Sequence, residues 1–365
     1  MRWRVRVAWG ISLGLCRLAF GHDVAVTAQT SRTPATADSP ATASNTGSLS
    51  ASWDLSEDWA LDASFAVTRP DFRGDPSLIR AGNVYGISVG PSWTLGDHWL
   101  FLGSGNVSPT STQQSVTTLT VDDNLPPAGP KEREAQLHAE STSAGAMVLA
   151  SYDTAGESAW ETTVTASVAA NGYWTLQKLL TTDAAVDQSA AGKACLGKSS
   201  PACKALRSLL AAQKASLTQV SGTLLVTETL FSAWDAFVGA TLYTYSHDPT
   251  AVGVFSVATR GTAGPAGSRS GGGTIEYGEG IALAAFRFNS QLGAAWHAHG
   301  WKVTAQQALG RYWDGGGLAA STLKVAYRIN THWKILTSFT FQRDTDSAGT
   351  VSNGNLLGAT VRFSW

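Results

Sequence analysis

The feature that most constrains this chain is a period-two alternation of apolar and polar residues, broken by polar turns and repeated almost from end to end. Leu49, Ala51, Trp53 and Leu55 fall on one parity and Ser48, Ser50, Ser52 and Asp54 on the other. A strand sends successive side chains to opposite faces, so this segment reads as a strand with one wet face. Beyond the polar residues 56–58, Trp59, Leu61, Ala63, Phe65 and Val67 alternate with Asp62, Ser64 and Thr68. The chain therefore returns antiparallel beside itself as a tight hairpin.

The unit recurs with a Trp just after each short turn, at Trp59, Trp99, Trp160, Trp234, Trp301 and Trp333. The opposite connections, over 33–45, 69–81, 107–138, 175–216 and 248–274, are long and polar. Short turns at one end and long loops at the other are the pattern of a transmembrane β-barrel, with the short turns in the periplasm and the loops outside. The six indoles are then expected to ring the inner interface as a membrane girdle. The core of a soluble sandwich would not call for one Trp at one register after every short turn. Tyr173, Trp174, Tyr243, Tyr245, Tyr312 and Trp313, where strands enter long loops, suggest a second girdle.

Hydropathy fits. Hydrophobic residues make up 43% of the 365 and mean hydropathy is −0.04, with no apolar run after the N-terminus of the roughly 20 residues a membrane helix needs. Barrel strands are apolar on one face only and escape such a scan. The expected fold class is all-β, an antiparallel transmembrane β-barrel of about fourteen strands, with twelve or sixteen as alternatives because single-chain bacterial barrels are even. The first strand is placed at 23–31. Another is placed at 276–288, with a connection holding Gln291 to Gly300.

Arg2, Arg4 and Arg6 precede an apolar stretch from Val7 to Phe20 and the small residues Ala19 and Gly21. This predicts a secretory signal peptide over 1–21 and a mature barrel over 22–365. Bulky Leu15 before Cys16 argues against a lipoprotein. Once Cys16 is removed, Cys195 and Cys203 remain in an oxidising compartment, where a disulfide is expected. A zinc site would want four ligands and no His lies nearby. Within the 175–216 loop, Ser200, Pro201, Ala205, Leu206, Leu209, Leu210 and Ala211 predict a short capped helix.

Leu357, Ala359, Val361, Phe363 and Trp365 share one face of the last strand, against Thr360, Arg362 and Ser364. Here the chain resembles Gram-negative outer-membrane proteins in general, a broad superfamily, with Trp where a terminal Phe is more usual. The resemblance implies that Leu357, Val361, Phe363 and Trp365 form an insertion signal read by the barrel assembly machinery. It also implies a location in the cell outer membrane, among its lipid and lipopolysaccharide.

Residue types that could carry chemistry are sparse. Gly86–Ile87–Ser88–Val89–Gly90 matches the G-x-S-x-G of a nucleophile elbow, which needs a strand-to-helix turn. Tyr85, Ile87, Val89, Trp93 and Leu95 alternate through it, so Ser88 is read as a strand residue facing the lumen, and no catalytic residue, cofactor or metal is expected. His297 and His299 form an H-x-H pair without a third ligand, and 270–274 is a Gly-rich loop without a P-loop lysine. A net charge of −1 gives no reason to expect nucleic acid.

If the girdle Trp residues face lipid, alternation sends Asp54, Asp62, Glu161, Asp235, Lys302, Lys324, Arg328, Lys334 and Arg362 into the lumen. The acids come mainly from the first nine predicted strands and the bases from the last four. Such a separation either sets a transverse field that orients a small solute, or pairs up and closes the lumen. Passage of small solutes is the leading functional expectation. A closed barrel that anchors adhesive, receptor or structural loops is the alternative.

Overall fold

The computed structural model describes residues 23–33, 42–71, 78–123, 129–154, 160–179, 211–230, 233–249, 255–259, 273–277 and 285–364. Its strands in chain order begin with β1 (Asp23–Thr33), β2 (Thr42–Asp54), β3 (Trp59–Asp71), β4 (Leu78–Ala81), β5 (Val84–Leu95) and β6 (Trp99–Asp123). They continue with β7 (Gly129–Asp153), β8 (Trp160–Leu179), β9 (Gln213–Leu230), β10 (Trp234–Tyr245), β11 (Phe255–Thr259) and β12 (Gly273–Tyr277). The last are β13 (Phe286–Ala298), β14 (Trp301–Tyr312), β15 (Gly317–Arg328), β16 (Trp333–Thr345) and β17 (Val351–Ser364).

Fourteen of these strands form the wall, each antiparallel to its neighbours, and β17 closes it onto β1 from Ala25↔Ser364 to Arg32↔Leu357. The fourteen-strand expectation is met. The remaining three, β4, β11 and β12, are short. β4 lies against β6 at Leu78↔Ser115, and β12 against β6 at Ile275↔Val121 and Glu276↔Thr120.

The wall is of uneven height. β6 and β7 run 25 residues each, whereas β14 and β15 have 12 each. The 107–138 stretch, read above as a polar loop, instead continues the β6–β7 ladder to Asp123↔Gly129. On the low side the chain turns tightly at both ends. Tyr312 N donates to Gly316 O at 3.0 Å, and Asp346 N donates to Thr350 O at 3.0 Å. In the second turn the exposed Asp346 also receives Thr350 N at 2.7 Å, and these backbone donors hold its carboxyl below the usual range.

A second correction concerns β13. The strand runs from Phe286 to Ala298, not over 276–288, and its turn to β14 is only His299–Gly300, where both residues have positive φ. Gly293, Ala294 and Ala295 are small on both parities, so the alternation that marks the other strands is faint here. Because His299 belongs to the turn and His297 to the strand, the H-x-H pair does not share a strand face.

Outward parity carries the large apolar side chains, such as Val148, Val238 and Leu242, all well exposed. Trp59 stacks on Trp93 at 5.6 Å, Trp99 meets Tyr152 at 4.9 Å, Trp301 meets Tyr327 at 4.4 Å and Trp333 meets Phe363 at 4.7 Å. Trp234 registers with Trp296, and Trp160 with Leu230. These residues follow one another around the short-turn end of the wall. An outward polar pair interrupts the apolar surface, where Ser321 Oγ donates to Gln307 Oε1 at 2.5 Å.

Candidate functional site

Side chains two strands apart meet only on the concave face of a closed sheet. Lys302 Nζ on β14 reaches Asp235 Oδ2 on β10 at 3.2 Å, past β13, and Tyr312 OH on β14 donates to Asp344 Oδ1 on β16 at 2.6 Å, past β15. Both contacts mark the inner face. Strand alternation and register then place every other inward residue, and the inner face divides into three levels.

The level at the short-turn end is charged. Asp54 is the last residue of β2; Lys302, Lys334, Glu161 and Asp235 are each the second residue of their strands, and Arg328 ends β15. Asp62, Lys324 and Arg362 stand further along the same parity. Lys302 and Asp235 pair, with His297 Nδ1 at 3.6 Å from the same carboxylate. The other cations gather on neighbouring strands: Arg328 is in register with Lys334, and Lys334 with Arg362. Among the described residues no carboxylate stands at ion-pair distance from Lys324, Arg328, Lys334 or Arg362.

The middle level is small and hydroxylated. Cross-strand hydroxyl pairs run around it: Thr46–Thr68 at 2.9 Å, Ser64–Ser88 at 2.8 Å, Ser151–Thr165 at 2.9 Å, Thr223–Thr241 at 2.9 Å and Thr322–Thr340 at 2.9 Å. Each such pair stabilises its ladder by about 0.2–1 kcal/mol and leaves a polar wall with short side chains. Ser88, the centre of the G-x-S-x-G string, is one of these hydroxyls in the middle of β5, with no turn to expose it. Gln306 Nε2 donates to Gln291 Oε1 at 2.9 Å on the β13–β14 side.

The level at the long-loop end is aromatic. Tyr173 on β8 lies by Gln219 on β9 with 3.5 Å between Tyr OH and Oε1, Gln219 Nε2 donates to Tyr245 OH at 3.1 Å, and Tyr245 OH donates to Phe286 O at 2.9 Å. Phe286 stacks on Tyr312 at 4.7 Å, Tyr243 lies 6.2 Å from Phe286, and Tyr245 and Trp313 meet edge to face at 5.5 Å. The Arg287 guanidinium stands over the Trp313 ring, 5.2 Å from its centroid. Nearby inward residues on the tall side are closely packed, with Leu137, Leu217 and Gln177 fully buried.

This level replaces part of the second girdle expected above. Only Trp174 of the strand residues in that set faces outward; Tyr173, Tyr243, Tyr245 and Tyr312 face in. Parity already carried the answer, because Tyr243 and Tyr245 stand at even spacing from inward Asp235 and at odd spacing from outward Trp234. Gln219, Phe237, Phe286 and Asp344, not singled out from sequence, complete the inner face, and the same alternation would have found all but Phe286, which follows a register shift between Phe286 and Phe288.

Two of the rings lie flat on the wall. A Cβ on Gly293 would stand 2.5 Å from Phe237 Cζ, and one on Gly310 would collide with the edge of Phe286. Glycine opposite an aromatic lets the ring fold down onto backbone instead of projecting into the lumen. Replacing Gly310 by Ala is therefore expected to lift Phe286 off the wall at an overpacking cost of about 1–3 kcal/mol, read from urea titration of the refolded barrel. A variant as stable as the parent would show that the ring was not resting there. Gln219→Ala is a second test: losing the bridge between two tyrosines is expected to cost about 1–3 kcal/mol in the same titration, and an unchanged midpoint would refute that bridging role.

No family model and no curated protein matches this chain. Solved structures do resemble it. A Pseudomonas aeruginosa FadL homologue aligns with a TM-score of 0.53 at 11% identity over 93% of this chain and 89% of that one. The Ralstonia pickettii toluene transporter TbuX aligns with a TM-score of 0.50 at 10% identity over 94% and 89%. The CymD monoaromatic hydrocarbon channel aligns with a TM-score of 0.50 at 9% identity over 98% and 92%. At such identities the likeness speaks of architecture, and this chain shares with these three proteins the fold of a closed antiparallel β-barrel.

Proposed function

We propose that this protein is an outer-membrane channel through which small solutes cross. The observation that carries the reading is the inner face itself: Ser, Thr, Gly and Ala predominate through the middle level beside Leu102, Met147, Leu149 and Leu225, and the inward rings of Phe237 and Phe286 rest against glycines. Short inward side chains in a fourteen-strand wall leave room for water, where smaller barrels fill with side chains. The described residues all belong to strands or to the turns and loop ends next to them. The names of the similar structures, two of which denote a transporter and a channel, agree with this reading.

Further roles follow from it. The chain is delivered by a signal peptide over 1–21, and Leu357, Val361 and Phe363 with Trp365 present the insertion signal to the assembly machinery. Trp59, Trp99, Trp160, Trp234, Trp301 and Trp333 sit at the inner interface, and lipid and lipopolysaccharide surround the wall. The expected disulfide Cys195–Cys203, the short helix, the signal segment and Trp365 lie outside the described residues.

Single-channel recording of the refolded mature protein in planar bilayers tests the reading. Steady conductance steps are expected. Removing 180–210 spares the β8–β9 ladder, which runs up to Gln177↔Gln213, and is expected to enlarge the steps because the closely packed inward residues Leu217 and Gln177 border that connection. Silence from both proteins, with folding verified by heat-modifiable gel mobility, would overturn the channel and favour a barrel that anchors its loops.

A further inference from the structure

Arg328, Lys334 and Arg362 are direct cross-strand partners on three consecutive strands, all on the inner face. Lys324 stands on the same face of β15, in register with Ser338. Like charges directly opposite one another destabilise a sheet. Here three are adjacent, exposed, and without a carboxylate at ion-pair distance among the described residues. The nearest ladder partner beyond Arg362 is Thr27, a neutral residue. Of the acids at this end, Asp235 is engaged by Lys302 and His297, Asp54 and Asp62 lie beyond β1, Asp23 opens β1 four positions along from Thr27, and Asp153 and Glu161 are on the opposite side of the wall.

Among the described residues nothing balances this row, and two guanidinium forks flanking an ammonium suit an oxyanion from solution. The aromatic level lies upstream on the path from the long-loop end and offers ring faces to an apolar body. We infer that the row Arg328–Lys334–Arg362 is an anion-binding station at the inner mouth, and that the solutes it favours are small organic carboxylates with an aromatic or apolar body. This rests on the channel reading and narrows it to a substrate class. The row supplies the charge that draws the carboxylate through.

The test uses the full mature barrel and sodium benzoate as probe. Reversal potentials across a KCl gradient are expected to show anion preference. The triple variant R328Q/K334Q/R362Q, with its folding checked by gel mobility, is expected to lose that preference by about tenfold in permeability ratio. Replacing chloride by benzoate on one side should still carry current in the parent. Cation preference in the parent, or an unchanged ratio in the variant, would overturn the anion station while leaving a channel in place. Should neither protein conduct, the channel reading falls, and calorimetric titration of benzoate into the protein in a zwitterionic detergent decides the station separately: saturable binding lost in the variant supports it, and no binding to the parent refutes it. The single variant R362Q serves if the triple variant does not fold.

Discussion

Leu224→Arg is expected to destabilise the barrel in phospholipid vesicles by about 2–4 kcal/mol, the cost of a charge on the lipid face near the bilayer midplane. Leu224 is well suited to the test: it points outward, is 53% exposed and lies six positions along β9 from Leu230 at the short-turn end. Its neighbour Thr223 points inward and shares a hydroxyl contact with Thr241 at 2.9 Å. Thr223→Arg should therefore lose only the worth of that contact, about 0.2–1 kcal/mol, and keep its charge in water. Urea titration of both variants in vesicles measures the difference. Equal costs at the two positions would mean that this wall is not bathed in lipid, and the membrane assignment would fail with it.

Joining Thr120 to Glu276 is expected to cut ion flow through the barrel severalfold. β12 belongs to the β10–β13 connection, yet it pairs with β6, beyond β7, β8 and β9, through Ile275↔Val121 and Glu276↔Thr120 alone. So short a ladder opens at little cost, and segments of this kind exchange readily. Cross-strand partners in an antiparallel pair have Cα atoms about 4.5–5.5 Å apart, within reach of a disulfide. In T120C/E276C, oxidation should cut conductance severalfold and a reductant should restore it, while the parent, which carries Cys195 and Cys203, responds to neither. Unchanged conductance in a variant shown by non-reducing gel to be cross-linked would mean that this connection does not govern entry.

Strand existence and face were legible in the sequence wherever large apolar residues alternated with polar ones. With Trp59, Leu61 and Phe65 on one side and Asp62 and Ser64 on the other, the face of each residue of β3 follows by counting in twos. Where neither face offers a large side chain, counting has nothing to hold. Gly293, Ala294 and Ala295 gave β13 no readable parity, and the strand was misplaced by about ten residues.

The tall part of β6 failed for another reason. Residues 116–121 show no alternation of apolar and polar residues, so parity marks no strand there. What remained was composition, with Val116, Thr117, Thr118, Leu119, Thr120 and Val121 all good strand formers. The aromatic level stands next to the long connections, where an interface girdle is also expected, and only parity separates the two. The pairing of β12 with β6 joins segments far apart in sequence and leaves no local trace at all.

The seam between β17 and β1 has a bearing on how the molecule is made. Its partners, from Ala25↔Ser364 to Arg32↔Leu357, come from opposite ends of the chain. Until β17 has been synthesised β1 has only β2 to pair with, and its other edge offers a row of open amides and carbonyls to any passing strand. Every hairpin of the wall can form from local contacts, but the final closure joins the most distant contacts in the molecule and is slow on that account. The nascent chain must therefore be kept apart from its copies until the last strand is made. Loss of the last strand would remove no single contact of importance, and yet it would leave an aggregation-prone sheet with two edges in place of a barrel with none.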